Sequence, residues 1–261
     1  QEHHQMHQPA QTAMWFRLAA EQGLSSAQYN LGYMYRYGIG VPEDDTEAAK
    51  WYQLAAEQGH VQAQFSLSFM YEDGHGVTED YEEAAKWMHL AADQGLAMAQ
   101  FNLGFMYEYG KGVTEDDERA LECYRLAAEQ GHASSQVRLG QKFANGDGVD
   151  EDDNEAAKWY RLAAEQGHSD GMVNLANMFR DGKGVLRDKI YAYLWYYLAN
   201  ETSQRYAKSN LRLLSEEMTS KELRIAQELS QKCLTSGYKN CESVLPNFLH
   251  RKFNLSSENR D

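Results

Sequence analysis

Small and apolar residues recur along the chain with a fixed period of 36 residues. The string Ala-Ala-Glu-Gln-Gly or Ala-Ala-Asp-Gln-Gly begins at Ala19, Ala55, Ala91, Ala127 and Ala163. A Gly-x-Gly-Val string keeps the same step and begins at Gly38, Gly74, Gly110, Gly146 and Gly182. Because no insertion or deletion interrupts this period, the pattern predicts a solenoid of tandem repeats, each of which buries its apolar face against its neighbours.

Each repeat is predicted to form two helices. The first helix of the first complete repeat covers about 27–37 and has Ala27 and Leu31 on one face at helical spacing. It ends at Gly38, since glycine adopts the left-handed conformation of a helix C-cap without steric cost. The second helix, over about 46–58, follows an acidic stretch whose side chains can cap its N-terminus.

Two further positions of the repeat keep one kind of residue. A leucine stands at the position of Leu31 in every complete repeat, and the residue after it is always small, which suits a close approach of two helices. These small residues are Gly32, Ser68, Gly104, Gly140 and Ala176. The five tryptophans share one place in the second helix: Trp15, Trp51, Trp87, Trp159 and Trp195. Burial of one such side chain is worth roughly 1.5–3 kcal/mol, so we expect this row to hold the helices together. Cys123 takes that place in the remaining repeat and is interpreted as a small buried apolar residue.

These residues resemble the Sel-one-like repeat (SLR), a relative of the tetratricopeptide repeat. The resemblance rests on Ala-x-x-x-Leu-Gly-x-Met-Tyr-x-x-Gly-x-Gly-Val followed by Ala-Ala-x-Trp-Tyr-x-x-Ala-Ala-x-Gln-Gly, and it covers about 13–199. It implies an all-α fold, a right-handed α/α superhelical solenoid of 36-residue helix-turn-helix repeats with a C-terminal helical cap. It also implies that the first helices form the concave wall.

The period and the resemblance together divide the chain into segments. Residues 1–12 are predicted to be a disordered polar leader, and 13–26 a partial N-terminal repeat that has only its second helix. Five repeats follow, at 27–62, 63–98, 99–134, 135–170 and 171–199. We expect capping helices over 200–241, because terminal repeats must cover an open apolar face, and a tail over 242–261.

The C-terminal segment carries two short motifs. Thr219 and Glu222 have the spacing of a capping box at the start of a helix. Cys233 and Cys241 flank Gly237 in a short loop that could close as a disulfide. A disulfide would indicate an oxidising compartment. A chain that starts with glutamine instead of methionine fits a removed signal peptide, and also an artificial start. Together with the possible disulfide, the first of these two interpretations leads us to expect a periplasmic or secreted protein.

The charge balance excludes several classes of partner. The chain has 25 Lys and Arg residues against 39 Asp and Glu residues, for a formal net charge of −14. This charge disfavours nucleic acid and anionic membrane surfaces, which require basic patches. Membrane insertion is not expected either, because the sequence has no run of eighteen apolar residues.

No pattern in the sequence points to catalysis, a cofactor or a metal site. Carboxylate pairs such as Asp44 and Asp45 lie in the turns between helices, where capping is the simpler interpretation. His60, His132 and His168 share one register and are interpreted as structural. Phosphate-binding glycine loops, nucleophile elbows and His-Glu-x-x-His strings do not occur. We therefore predict that the chain is not an enzyme.

Variable positions on the predicted concave wall are candidates for partner binding. The positions chosen are Asn30, Tyr33, Tyr37, Phe69, Asn102, Phe105, Tyr109, Arg138, Asn174 and Asn177. Aromatic rings on neighbouring helices suit the anchoring of apolar side chains, and the expected partner is another protein or an extended peptide. In the alternative interpretation these rings pack against the adjacent helix as core. The oligomeric state stays open, with a monomer favoured.

Three functions follow from the resemblance. The first is a non-enzymatic protein–protein interaction scaffold of the bacterial envelope or exterior, which includes factors that engage host proteins. The second is a periplasmic immunity protein that neutralises a secreted antibacterial effector such as a phospholipase. The third is a hydrolase such as a β-lactamase, an activity raised for cysteine-rich relatives, for which this chain offers no nucleophile arrangement.

Overall fold

The structure, a computed structural model, describes residues 2–202, 205–239 and 241, and the side chains from residue 8 onward except that of residue 205. This part of the chain is helical and contains no strand, which confirms the all-α class. The helices are α1 (Glu2–Glu21), α2 (Ser25–Tyr37), α3 (Asp45–Glu57), α4 (Val61–Asp73), α5 (Tyr81–Asp93), α6 (Ala97–Tyr109), α7 (Asp117–Glu129), α8 (Ala133–Asn145), α9 (Asp153–Glu165), α10 (Ser169–Asp181), α11 (Lys189–Glu201), α12 (Arg205–Glu216) and α13 (Ser220–Thr235).

The helices group into two compact bodies, residues 1–130 and residues 131–261. In the N-terminal body α2 packs on α3, α4 on α5 and α6 on α7, and each pair also contacts the next pair. In the C-terminal body the pairs are α8 with α9 and α10 with α11, and α12 and α13 pack on α11. Tandem helix pairs, as predicted from the period, therefore build both bodies.

The beginning of the chain differs from the sequence prediction. Helix α1 starts at Glu2 and runs through Pro9 to Glu21, so the segment predicted as a leader, 1–12, and the partial repeat are one helix from Glu2 onward. The Gln, Met and His residues that alternate there have moderate to good helix propensity. Their polar character alone predicts a leader and does not indicate this helix. The tail predicted over 242–261 lies outside the described residues.

The tryptophan row is not the most buried row of the second helices. Trp15 is 67% exposed, and Trp51 and Trp87 are only partly buried. The deeply buried residue is the next one along the chain, and it is at most 5% exposed in every complete repeat: Tyr52, Met88, Tyr124, Tyr160 and Tyr196. One residue corresponds to about 100° of rotation on a helix, and this rotation turns the second position toward the paired first helix.

These buried side chains explain the small residues of the first helix. A Cβ on Gly104 would lie 2.8 Å from Cε1 of Tyr124, and one on Gly32 would lie 2.8 Å from Cδ1 of Tyr52. The small residue therefore makes room for a ring and also for the backbone of the second helix, since the same Cβ atoms would lie 3.2 Å from the carbonyl oxygens of Ala120 and Ala48. In the one repeat that has Met88 in place of tyrosine, the small residue is Ser68, with Oγ 3.9 Å from the methionine sulfur.

Pairs of glutamines join successive repeats. Gln58 donates through Nε2 to Oε1 of Gln28 at 2.7 Å, and Gln28 in turn donates to the carbonyl of Ala20 in the preceding repeat at 3.1 Å. Within the N-terminal body both bonds recur: Gln94 donates to Gln64 and Gln130 to Gln100, and Gln64 and Gln100 donate to the carbonyls of Ala56 and Ala92. In the C-terminal body Gln166 donates to Gln136 at 2.7 Å. The last repeat has Met172 and Thr202 at the two places, so both halves of the bridge are replaced together.

Side-chain caps define where the helices start. The acidic turns cap the second helices as predicted, through an aspartate that accepts backbone N–H bonds: Asp44, Asp80, Asp116, Asp152 and Asp188. Among the first helices, α4 and α8 are capped by Nδ1 of His60 and His132, which accept from backbone N–H groups at 3.3 Å. Leu24 and Leu96 occupy this place in α2 and α6 and make no such bond.

We expect the free energy of unfolding to fall as the pH drops below about 6.5. Burial lowers the pKa of His60 and of His132, and the nearby His168 lowers the latter further. In the unfolded chain histidine titrates near 6.5. The contribution of these two histidines to the free energy of unfolding is therefore fully present above that pH. It is lost as the pH falls through their pKa in the folded protein, because the unfolded chain binds protons first. Replacing both histidines by leucine, the residue found at Leu24 and Leu96, should make the free energy of unfolding depend less on pH.

Urea unfolding of the wild type and of the His60→Leu/His132→Leu variant at about pH 7.5 and about pH 5.5 measures this difference. The double variant should lose less stability between the two pH values than the wild type. Identical losses would show that other groups set the acid sensitivity.

The C-terminal helices cover the last repeat. Trp195 and Leu198 of α11 are fully buried, whereas Leu54 and Leu90 in the register of Leu198 are 43% and 45% exposed. The predicted capping box is present, with reciprocal hydrogen bonds at the start of α13. The predicted disulfide is also present and joins Cys233 at the end of α13 to Cys241, with 5.0 Å between the Cα atoms. This region thus has the capping role predicted from the sequence.

Candidate functional site

Aromatic rings are paired along the first helices of the N-terminal body. The centroids of Tyr33 and Tyr37 on α2 are 4.6 Å apart, those of Phe65 and Phe69 on α4 are 5.0 Å apart, and those of Phe105 and Tyr109 on α6 are 4.4 Å apart. Residues four apart lie side by side on a helix surface, so each ring supports its neighbour. Tyr33, Tyr37 and Tyr109 remain 43%, 60% and 51% exposed.

A groove of about 360 Å³ opens between α2 and α4, and we call it the aromatic groove. Its walls include Tyr33, Arg36 and Tyr37 from α2 and Phe65, Phe69 and Asp73 from α4. Ligand clefts in proteins typically measure about 300–1,000 Å³. The groove therefore has room for a few side chains of a partner and not for a folded domain.

The polar groups of the aromatic groove are unevenly paired. Arg36 binds Asp45 through Nη1 and Oδ1 at 2.6 Å, and the second carboxylate oxygen of Asp45 lies 3.5 Å from Nδ1 of His75. Asp73 is exposed and forms no ion pair with any residue in the described part of the chain. Burial raises the pKa of the phenols of Tyr29 and Tyr52, so both line the groove in their neutral form.

The structure brings some of the predicted binding residues together. Tyr33, Tyr37 and Phe69 line the aromatic groove. Phe105 and Tyr109 form the ring pair that corresponds to Tyr33 and Tyr37 two repeats later. The core interpretation is wrong for the three tyrosines, whose exposure exceeds two fifths of the side chain. Phe69 and Phe105 are partly buried and contribute both to packing and to the surface.

The predicted asparagines fit the site less well. Asn30 and Asn102 donate their amide hydrogens to the carbonyls of Ser26 and Met98 on their own helices, at 2.7 Å each. Asn177 accepts a hydrogen bond from the hydroxyl of Tyr196 and so belongs to the α10–α11 contact. These amides are largely engaged within the chain.

Arg138 and Asn174 also fall outside the groove. Both are partly buried residues of the C-terminal body, on α8 and α10, and neither lines the aromatic groove. For these two positions the assignment to partner binding stays a prediction.

Several groove residues were missed by the sequence reasoning. Tyr29 and Phe65 were not among the predicted binding residues, yet both line the groove from partly buried positions. Tyr29 lies one helical turn before Tyr33, and Phe65 lies one turn before Phe69, so the two residues of each pair share a helix face. This spacing could have indicated Tyr29 and Phe65 from the sequence. His75 lies in a turn, where a helical pattern could not indicate its proximity to the groove.

A wider cleft of about 600 Å³ lies in the C-terminal body beside α12. Its lining includes Tyr193 and Asn200 from α11 and Lys208, Leu211 and Arg212 from α12. Only one of the lining residues is aromatic, and Arg212 is paired with Glu216 at 3.0 Å. The cleft thus offers fewer anchoring side chains than the aromatic groove.

Other features bear on chemistry and on membranes. Burial raises the pKa of the Cys123 thiol to about 11, so this sulfur is protonated and weakly nucleophilic at neutral pH. Within the described ranges, no three His, Cys, Asp or Glu side chains are grouped as metal ligands would be. None of the helices that the structure describes combines the length and the apolar character needed to cross a membrane.

Comparison with known proteins gives one family. The Sel1 repeat model matches residues 8–24, 25–60, 61–96, 97–132, 133–168 and 169–201. Comparison with curated proteins gave no match.

Solved structures show the same kind of similarity. A Sel1 repeat protein from Oxalobacter formigenes is 32% identical over 81% of this chain and 88% of its own, with a TM-score of 0.72. A protective antigen of uropathogenic Escherichia coli with an SLR fold is 26% identical over 91% and 75%, with a TM-score of 0.41. An immunity protein from Pseudomonas aeruginosa is 23% identical over 72% of each chain, with a TM-score of 0.43.

Proposed function

The chain belongs to the Sel1 repeat family, and from this premise we propose that it binds a partner protein through the aromatic groove. The observation that carries the proposal is the set of ring pairs on α2, α4 and α6, in which Tyr33, Tyr37 and Tyr109 are exposed. In this proposal the partner contributes an extended segment, and the chain acts as a scaffold without catalysis.

The ring pairs have the properties of binding anchors. Tyrosine is enriched among residues that dominate binding energy, because it offers a large contact area with a polar end. Each of the three pairs is held on a rigid helix by its i, i+4 neighbour, so few rotamers are lost when a partner docks. Exposed large apolar surface on a soluble protein commonly marks an interaction site.

The spacing of the helices favours an extended partner segment. Packed helices lie about 8–10 Å apart, and a strand advances about 3.3 Å per residue. A strand that runs across α2, α4 and α6 would therefore meet a new ring pair about every three residues. The groove volume of about 360 Å³ is consistent with side chains that enter one or two at a time.

The compartment is part of the same proposal. The Cys233–Cys241 disulfide supports an oxidising environment, and we place the protein in the bacterial periplasm or outside the cell. A protein partner in either compartment would have access to the aromatic groove.

We expect the Tyr33→Ala/Tyr37→Ala variant to lose at least 90% of the partner captured by the wild type. Both side chains are exposed, so their removal should change stability by no more than about 0.5 kcal/mol. The measurement is affinity capture from envelope and culture fractions, quantified by mass spectrometry. Tyr206→Ala, which removes a 76% exposed tyrosine from α12, is the matched control and should keep the partner. A partner captured equally by all three proteins would place its binding site elsewhere and contradict the proposal.

A further inference from the structure

We propose that α1 is a docking surface for one amphipathic helix of a partner protein, and that this helix carries the pattern Gln-x-x-Leu followed by glycine or serine. The surface, which we call the open stripe, consists of Thr12, Trp15, Phe16 and Ala19, and none of these residues lines the aromatic groove. The inference therefore adds a second binding surface to the proposed function. Three observations carry it: the exposure of the stripe, a glutamine beside it, and the helices that cover the same face in the complete repeats.

Helix α1 is a second helix that has no first helix of its own among the described residues. The Sel1 repeat model matches its repeat only over residues 8–24, and α2, the first helix of the next repeat, packs on α1. By contrast, α3 packs on both α2 and α4, and α5 packs on both α4 and α6. One side of α1 is thus without the helix that covers the same side of α3 and α5.

The residues of the open stripe are less buried than their counterparts. They are three or four residues apart and so lie on one face of α1. In the complete repeats the positions of Thr12, Phe16 and Ala19 are at most 5% exposed. In α1, Thr12 is exposed, whereas Phe16 and Ala19 are partly buried. Trp15 is 67% exposed, and the other four tryptophans are partly or fully buried. The stripe is therefore apolar surface that another helix can cover.

A glutamine at the C-terminal end of α1 has the donor of a glutamine bridge without its acceptor. Gln22 occupies the register of Gln58, which donates through Nε2 to Oε1 of Gln28 on its own first helix at 2.7 Å. Within the described ranges the Gln22 side chain forms no such bond. In the last repeat, whose first helix has Met172 instead of glutamine, the donor is replaced by Thr202. An incoming helix with a glutamine at the matching place would complete the bridge at α1.

The first helices of the N-terminal body show which helix fits the open stripe. Each has glutamine, leucine three residues later, and glycine or serine directly after the leucine, as in Gln28, Leu31 and Gly32. The small residue faces the ring in the register of Phe16, because a Cβ on Gly32 would lie 2.8 Å from Cδ1 of Tyr52. A helix with a larger residue there could not approach as closely.

The source of this helix follows from the packing of the chain. All first helices that the structure describes are engaged with the second helix of their own repeat: α2, α4, α6, α8 and α10. A second copy of the chain therefore has no free helix of this pattern to donate. We assign the helix to a different protein.

A labelled peptide of residues 97–116, which contains α6 and the turn after it, is the probe for this surface. Isolated helices of this length are marginal in water, so a hydrocarbon staple between positions 98 and 102 holds the peptide helical on the side away from Gly104. Fluorescence polarisation with the full chain should show saturable binding. Failure of the stapled peptide to bind would overturn the inference.

Two arginine variants of α1 locate the binding surface. Thr12→Arg places a long charged side chain in the open stripe at an exposed position and should weaken peptide binding at least tenfold. Met14→Arg is the matched control, because two residues correspond to about 200° of rotation on a helix and Met14 is 53% exposed. It lies in the register of Lys50, where a charge is already tolerated, and should change binding less than twofold. Equal binding to both variants would contradict the assignment.

Substitutions in the peptide and in the chain test the chemistry of the contact. Gly104→Leu in the peptide should overfill the space beside Phe16 and weaken binding at least tenfold, whereas Tyr109→Leu, on the exposed side of the helix, should not. Gln100→Ala in the peptide and Gln22→Ala in the chain should each weaken binding about fivefold. Together they should weaken it no further, because both changes remove the same bridge.

Sedimentation of the chain alone separates a partner helix from self-association. A monomer that binds the peptide, with loss in Thr12→Arg and retention in Met14→Arg, would establish the inference. A homodimer that Thr12→Arg dissociates would show that a second copy covers the open stripe and would overturn it. The aromatic groove is tested through Tyr33→Ala/Tyr37→Ala, outside the open stripe, so the failure of one proposal leaves the other standing.

Discussion

Gly112→Ala should destabilise the N-terminal body by about 3 kcal/mol or more, one of the largest effects expected of a one-carbon change. Gly112 is the second glycine of its Gly-x-Gly turn and has a φ of 67°. A Cβ at this residue would overlap the carbonyl group of Tyr81, the first residue of α5. Relief of this overlap would require a shift of the backbone at Gly112 or at Tyr81. Such a shift costs free energy, because the Tyr81 carbonyl is fixed at the start of a helix.

Gly95→Ala is the matched control for the overlap. Gly95 has a comparable positive φ of 87°, but a Cβ there would meet nothing within 4 Å. Its replacement should therefore show only the cost of a left-handed conformation in an alanine, about 1–2 kcal/mol. Urea unfolding of both variants and the wild type gives the two free energies. Equal losses for Gly112→Ala and Gly95→Ala would contradict the role assigned to the close approach.

The contact between Gly104 and Tyr124 should show strong thermodynamic coupling. Gly104→Ser places atoms against the Tyr124 ring, and such overpacking costs about 1–3 kcal/mol. Tyr124→Met leaves a cavity beside glycine and removes the hydrogen bond from the phenol to Glu108, at an expected cost of about 2–4 kcal/mol. The double variant reproduces the natural pair of Ser68 and Met88 and should be at least about 1 kcal/mol more stable than the sum predicts.

A double-mutant cycle measured by urea unfolding gives this coupling energy directly. The four proteins needed are the wild type, Gly104→Ser, Tyr124→Met and the double variant. Additivity within about 0.5 kcal/mol would mean that the small residue and the ring are independent, and that their pairing along the repeats has another origin.

Much of the fold could be predicted from the sequence because its signals are local. The 36-residue period, the glycine C-caps such as Gly38 and the aspartate N-caps such as Asp44 each act within one or two turns of helix. The buried register could not be predicted in the same way. Trp51 and Tyr52 are adjacent and both apolar enough to pack, and the rotation of α3 against α2 decides which ring contacts Gly32.

The residues of the candidate site could be predicted only in part from the sequence, for a similar reason. A periodic pattern indicates which positions share a helix face, and this correctly placed Tyr33 and Phe69 in one groove. It gives no information on local hydrogen bonds, and asparagine side chains often bond to the backbone of their own helix. Asn30 and Asn102 do so. The pairing of Arg36 with Asp45 depends on a turn between helices, whose path no periodicity describes.

The glutamine bridges bear on how an array of this kind can grow or shrink by gene duplication. An internal block such as 61–96 carries both of its glutamines, Gln64 and Gln94, and offers the carbonyl of Ala92 to the block that follows. Loss or copying of a whole block would therefore leave each amide with a partner of the same kind. The block 169–201 has Met172 in the register of this glutamine and cannot donate to the block before it in this way. Internal blocks are thus interchangeable copies in evolution, whereas the last block is committed to its terminal place.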